Sequence, residues 1–242
     1  MGFASDVGFY EILYLPERFD IIASLSFNVT KASSIRCLVT AGPTREWLDP
    51  VRFLSNPSTG KMGFAVADAA RERGWEVDLI SGPVTLDLKS GVRQTFVETA
   101  DEMLAACLDL FPSCDFMIMA AAVCDHKPAL VAKSKLKKSE ISTILELEQT
   151  PDILAELGRR KTSGQNLVGF AAETNDCLSN GERKLREKNL DWIVVNDVSL
   201  PECGFASDFN EVTLLGRNGE IVPIDLAPKL EVARILLERI DS

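Results

Sequence analysis

Histidine is nearly missing from this 242-residue chain: there is one, His126. A zinc site built on imidazoles is therefore poorly supported, and so is a His-driven general-base mechanism. Cysteine is present six times, at 37, 107, 114, 124, 177 and 203, but no two form a C-x-x-C pair. The plain reading is reduced core thiols in a cytoplasmic protein. No apolar run approaches the ~20 residues that a membrane span requires; the longest is Phe116 to Cys124. The N-terminus carries Asp6 and Glu11 and no basic segment, so a secretory signal is not expected. Basic charge is also short. Lys+Arg is 26 against 36 Asp+Glu, a net charge of −10. That balance argues against sequence-independent nucleic-acid binding, which wants a cationic face. It leaves room for a nucleotide held at a local positive site. Glycine (15) and proline (11) are too few for a low-complexity chain.

What is present is an alternation of elements. The first 34 residues hold aromatic and apolar clusters without a clean period and read as an extension. From Ile35 the pattern becomes regular. Strands are predicted at Ile35–Thr40, Glu76–Ile80, Val92–Val97, Phe116–Val123, Leu167–Ala171 and Trp192–Val195. Helices are predicted at Gly60–Arg73, Ala100–Phe111, Pro151–Arg160, Asn180–Lys188 and Pro228–Ile240, with Thr150 as N-cap and Pro151 at N1 of the third. Ala41–Thr59 reads as a loop and Ile141–Leu147 as an edge strand. Arg217-Asn218-Gly219, between Val212–Leu215 and Glu220–Val222, signals a hairpin. Strand–helix–strand repetition means βαβ units and a mainly parallel sheet between helical layers, an α/β fold.

In such sheets ligands bind beyond the carboxyl ends of the strands, at a topological switch point. Four loops lie there: Ala41–Thr59, Ser81–Val84, Cys124–Glu140 and Ala172–Asn175. Ser55 to Gly63 (SNPSTGKMG) offers small hydroxyls and glycines at a helix start, which suits an anion or is a plain cap. It is not a Walker A, because position 55 is Ser and Met62 follows the lysine. A G-x-G-x-x-G fingerprint is absent after the first strand, which disfavours an NAD(P) oxidoreductase. Asn56 is either a polariser of a carbonyl or turn chemistry. Arg52 is either a phosphate fork or the ion-pair partner of Asp49. The Lys127–Lys138 stretch is either a cationic flap or a solvated basic loop. Asp125 and Glu173 stand at strand ends, as ligands or caps. Lys184 and Lys188 share a helix face, where they either meet a ligand or pair with Glu182 and Glu187.

A series of motifs carries a resemblance: TAGPTRE (40–46), DPVRFLSN (49–56), GKMGF (60–64), AAAVCD (120–125), KLKK (135–138), TPDIL (150–154), VGFAAET (168–174), KNLD (188–191) and VNDVS (195–199). In this order and spacing they resemble the phosphopantothenate–cysteine ligase family, bacterial CTP-dependent type, over residues 35–242. The resemblance implies a Rossmann-like, doubly wound, mainly parallel sheet with a flap and a β-hairpin used in homodimerisation. It implies a ligase of coenzyme A synthesis that joins 4′-phosphopantothenate to cysteine through an acyl-cytidylate, with Mg²⁺ accompanying CTP. With 34 residues ahead of the match, no flavin domain is expected, and a separate chain would carry out the decarboxylation.

The residue roles it implies are as follows. Asn56 holds the acyl-cytidylate and serves its conversion, and Lys135 is the flap lysine of the first half-step. Met119, Ala120, Ala121 and Asp125 bind the nucleotide. Pro151, Asp152, Ile153 and Leu154 form a wall, and Phe170 packs near the base or sugar. Lys184 and Lys188 hold the triphosphate. Arg52 contacts the substrate phosphate across the dimer, and Gly42, Ser58 and Gly60 lie by the nucleotide. Cys124 and His126 stand where Ala and Tyr are more typical, which bears on the pocket rather than the reaction. An ATP-using member and a non-catalytic nucleotide-binding partner of the decarboxylase remain alternatives.

Overall fold

A computed structural model describes residues 34–138, 144–173, 175–197 and 206–242. The extension expected over residues 1–34 lies outside these except for Ser34. In chain order the elements are β1 (Arg36–Ala41), β2 (Arg45–Asp49), β3 (Arg52–Ser55), α1 (Lys61–Glu72), β4 (Glu76–Ser81), β5 (Val92–Phe96), α2 (Ala100–Leu110), β6 (Phe116–Met119), β7 (His126–Pro128), β8 (Leu147–Gln149), α3 (Ile153–Arg160), β9 (Asn166–Glu173), α4 (Cys177–Glu187), β10 (Trp192–Asp197), β11 (Phe209–Gly216), β12 (Ile221–Pro228) and α5 (Lys229–Ile240).

Eight strands form one sheet in the order β12-β11-β10-β9-β6-β1-β4-β5. The six from β5 to β10 are parallel, and β11 and β12 close one side as an antiparallel hairpin. The central strands are apolar on both faces, as parallel strands sandwiched by helices must be. Cys37, Val39 and Ala41 point to the layer of α1 and α5, and Leu38 points to the layer of α2, α3 and α4. From β1 the chain winds outward to β4 and β5, then returns to β6 on the other flank. The switch point therefore lies between β1 and β6. No described helix is long and apolar enough to cross a membrane.

Three local expectations are corrected. The segment Ala41–Thr59 is not all loop: β2 and β3 pair antiparallel within it, Trp47 against Phe53 with ring centroids 5.1 Å apart. Helix α3 is capped by Asp152, whose Oδ1 accepts from the Ala155 amide at 3.0 Å. Thr150 is occupied elsewhere, since its hydroxyl donates to the Cys124 carbonyl. Of the strand expected at Ile141–Leu147, residues 141–143 lie outside the described ones, and the pairing begins only at Leu147, opposite Pro128. Smaller shifts are that β6 ends at Met119 and that α4 begins at Cys177. The described cysteines agree with core thiols: Cys37, Cys107, Cys114 and Cys124 are buried, Cys177 is partly buried, and none is bridged.

Candidate active site

The loops leaving β1 and β6 run on side by side past their strands. Ala122 N–H donates to the Gly42 carbonyl (2.9 Å), and Thr44 N–H donates back to the Ala122 carbonyl (3.3 Å). Side chains finish the wall. The Thr40 hydroxyl accepts from the Ala121 amide at 3.2 Å, and the Thr44 hydroxyl accepts from the Cys124 amide at 3.0 Å. Asn56 Nδ2 donates to the carbonyls of Ala122 (3.2 Å) and Val123 (3.1 Å). Backbone groups from 121 to 125 are thus held from several sides, and a wall held this way is rigid before any ligand arrives.

Glycine makes the close approaches here. Gly42 and Gly60 have φ of +76° and +80°, and a Cβ on either would lie 2.9 Å from Val84 Cγ1. A Cβ on Gly82 would lie 1.8 Å from the Pro43 carbonyl oxygen. The Ser81–Val84 loop, expected among the ligand loops, therefore backs the site and does not line it.

Two connected hollows open on this wall. The outer one, about 500 Å³, is lined by Met119, Ala121, Asp125, Pro151, Asp152, Ile153, Leu154, Phe170, Lys184 and Lys188, together with Cys124 and His126. The inner one, about 340 Å³, is lined by Asn56, Ser58, Gly60, Ala120, Ala121, Asp125, Phe170 and Lys184. Ala121, Val123, Asp125, Phe170 and Lys184 border both, so they form one crevice at the switch point. Gly42 is not among the crevice's lining residues and packs against Gly60 and the Gly82–Val84 turn. Arg52 and Lys135 are not among its lining residues. They border a separate shallow basin of about 480 Å³ with Leu136, Lys137 and Lys138.

The charged side chains have partners other than those the sequence suggested. Lys184 bonds Glu173 at 2.6 Å, and Lys188 bonds Asp152 at 2.8 Å. Glu182 and Glu187 pair instead with Arg186 and Arg183. Burial pushes the Asp152 carboxyl up, but Lys188 and the Ala155 amide outweigh it and hold the group below the usual carboxylate range. Burial also raises the Cys124 thiol, which keeps it protonated and poorly nucleophilic. Arg52 does pair with Asp49, as one of its two readings had it.

The inner hollow has residues that sequence reasoning passed over: Lys61, Asn196, Asn210 and Lys229. Lys61 lay in the motif set aside as a failed Walker A, and Asn196 lay inside VNDVS. Asn210 is 2% exposed and sits at a bulge in β11, where the irregular register re-aims the chain. Lys229 opens α5 and has no sequence signal, yet it is buried at 7% exposure. Its ammonium donates to the Ser207 carbonyl.

Residues 32–242 match the family model of the DNA/pantothenate metabolism flavoprotein C-terminal domain. The chain belongs to that family. It is 46% identical over 204 residues to the coenzyme A biosynthesis bifunctional protein CoaBC of Bacillus subtilis (strain 168), covering 84% of this chain and 50% of the relative. It is 43% identical over 206 residues to a cysteine/cysteine sulfinic acid decarboxylase of an unknown prokaryotic organism, covering 85% and 57%. The chain thus spans about half the length of the curated relatives it matches. The crystal structure of the C-terminal domain of CoaBC superposes with a TM-score of 0.74 at 42% identity, covering 86% of this chain and 94% of that one. The large, mainly parallel sheet is of the Rossmann-like type expected from the sequence.

Proposed function

We propose that the chain is a phosphopantothenate–cysteine ligase that uses CTP. The observation that carries this reading is that Asn56, Asp125, Phe170 and Lys184, far apart in sequence, border one crevice at the switch point. Likeness to CoaBC C-terminal domains supplies the substrate class. In the first half-step the carboxylate of 4′-phosphopantothenate attacks the α-phosphorus of CTP and pyrophosphate leaves, giving an acyl-cytidylate. In the second, the cysteine amine attacks the acyl carbon and CMP leaves.

The residues divide the work by chemistry. Lys184 and Lys188 bring positive charge to a polyphosphate, exchanging their carboxylate partners for phosphate oxygens. Lys135, on the flap, meets the charge that builds on the leaving pyrophosphate. Phe170 and the Met119–Ala121 edge give the base an apolar seat. Asn56 uses its amide hydrogens on Ala122 and Val123, so Oδ1 is the atom it offers. An acceptor there suits the N–H of the incoming amine. This differs from the carbonyl-polarising role first considered, which requires a donor.

Among the described residues no three His, Cys, Asp or Glu side chains are grouped to hold a metal. A Mg²⁺ ion accompanying the nucleotide would be held at the crevice by Asp125, since the other lining carboxylate, Asp152, is paired with Lys188. When bound, Mg²⁺ neutralises phosphate charge. Arg52 is assigned to the substrate phosphate of a second protomer in a homodimer. The contact surface is assigned to the flap and, in place of the 212–222 hairpin signalled by the sequence, to the β2–β3 hairpin, where Val51 and Phe53 are exposed. The decarboxylation that follows in the pathway is assigned to a flavin-dependent activity outside residues 35–242.

The deciding assay incubates the protein with 4′-phosphopantothenate, Mg²⁺ and either CTP or ATP, with and without cysteine, and follows pyrophosphate, CMP and the cysteine adduct. Pyrophosphate release with CTP well above ATP, and adduct only when cysteine is present, is expected. Equal use of both nucleotides would make this the ATP-type enzyme. Nucleotide binding without pyrophosphate would make it a non-catalytic partner. Carbon dioxide from cysteine without nucleotide would favour the decarboxylase reading that one relative's name raises.

A further inference from the structure

Asp49 ends β2 and is fully buried, at 0% exposure, although nothing in its sequence setting marks it as a core residue. Its carboxylate is saturated. Oδ1 accepts from the amides of Val51 (2.8 Å) and Arg52 (2.9 Å). Oδ2 accepts from Arg52 Nε (3.0 Å), from Arg52 Nη2 and from the Leu136 amide (3.2 Å). The circuit closes through the guanidinium, because Arg52 Nη2 also donates to the Leu136 carbonyl at 2.9 Å. One flap residue, Leu136, therefore has both backbone polar groups gripped by a single ion pair, its carboxylate buried and its guanidinium partly exposed. A second tether lies just upstream, where Ala132 N–H donates to the Leu48 carbonyl at 3.0 Å. Lys135 and Lys137 flank the gripped residue, and both face the basin that Arg52 also borders. Hydrogen bonds from Arg52 hold the Asp49 carboxyl down to about 2, so it stays an acceptor at any working pH.

We propose that Asp49 is the positioning residue of the flap: with Arg52 it latches the Leu136 backbone to the β2–β3 hairpin and so fixes where Lys135 stands. The same carboxylate sets the azimuth of the Arg52 fork. Flap and fork therefore share one anchor and keep one spacing. The latch itself is a statement about the chain alone; its bearing on turnover rests on the ligase reading above.

The test uses the full chain and its Asp49→Asn variant, with a second variant, Leu136→Pro, which removes the flap-side donor, stiffens the chain at 135–136 and leaves the Asp49–Arg52 pair in place. Hydrogen–deuterium exchange is read in peptides covering 130–138, with peptides of β1 and α1 as internal controls. In Asp49→Asn, exchange of the Leu136 and Ala132 amides, which donate to the hairpin, is expected to quicken at least tenfold while the controls keep their wild-type rates. In Leu136→Pro, the Ala132 amide, which donates to the Leu48 carbonyl, is expected to quicken likewise. Wild-type flap exchange in either folded variant overturns the latch. Should Asp49→Asn not fold, Leu136→Pro alone decides. Pyrophosphate release is measured in parallel: kcat is expected to fall at least tenfold with KM for cysteine unchanged, and Asp49→Glu, which keeps the charge, is expected to recover part of it. A loosened flap with unaltered pyrophosphate release would uphold the latch and remove Lys135 from the first half-step.

Discussion

Asn56 illustrates how one side chain's hydrogen-bond partners restrict its chemistry. Its two amide hydrogens are spent on carbonyls of the crevice wall. In Asn56→Asp those donors become lone pairs facing the same carbonyls, and the side chain is driven out. The first half-step does not use it, so about one equivalent of pyrophosphate should appear as a burst while the acyl-cytidylate accumulates, detected by mass spectrometry after acid quench. Lys135→Gln should act earlier. Loss of one positioned charge at a developing anion costs on the order of 10²–10³ in rate, and pyrophosphate release should fall by that range. Asp49 makes a prediction about acid. Its folded pKa is depressed to about 2, below the ~3.9 of an unfolded aspartate. Its contribution to stability is therefore complete above ~4 and is lost as the pH falls through about 2. Urea midpoints measured from pH 5 down to pH 2 should decline, and less steeply in Asp49→Asn.

At the scale of elements, the buried strands and amphipathic helices were legible because burial writes itself into the chain. Runs such as Phe116–Met119 cannot face water; the capping box of Thr99 and Glu102 at the start of α2 is a signal the sequence reading passed over. The β2–β3 hairpin was not legible. Its strands are five and four residues long, and its turn, Asp49-Pro50-Val51-Arg52, lacks the Asn-Gly type of signal. It is held by long-range partners: the Arg45 amide on the Glu98 carbonyl (2.7 Å), Glu46 on the Ala100 amide (2.9 Å), and Asp49 on the flap. The cap of α3 was misread because Thr150 and Asp152 both carry cap chemistry, and only the fold shows that Thr150 is committed to Cys124. The partners of Lys184 and Lys188 were hidden for the same reason, since Glu173 and Asp152 lie on other elements. The loop after β4 gives the sharpest element-scale test. Gly82→Ala forces a carbon against the Pro43 carbonyl at 1.8 Å, where backbone and not a flexible tip must yield. The loss should reach about 3 kcal/mol or more, read as a lowered urea midpoint.

For the whole molecule, the crevice composition was largely legible through the motif series, whereas its partition was not: Arg52 and Lys135 stand in a basin of their own. In the proposed homodimer, a second protomer presenting Arg52, with Lys135 latched beside it, across an interface would account for that separation. Val51, 54% exposed at the hairpin turn, is suited to probing it, since its side chain carries no fold contact that the turn requires. The wild-type chain should sediment as a dimer. Val51→Glu should sediment as a monomer, with an unchanged far-ultraviolet circular dichroism spectrum and little product formation. The sheet order has a consequence for biogenesis. Strand β1 pairs on one flank with β6, Cys37 opposite Phe116, while Phe170 and Lys184 emerge later still. The crevice therefore has no complete lining until synthesis has passed Lys184 and reached Asn210 and Lys229. If the crevice takes CTP as proposed, the nucleotide rewards only the last steps of folding and does not rescue a nascent chain that stalls before them.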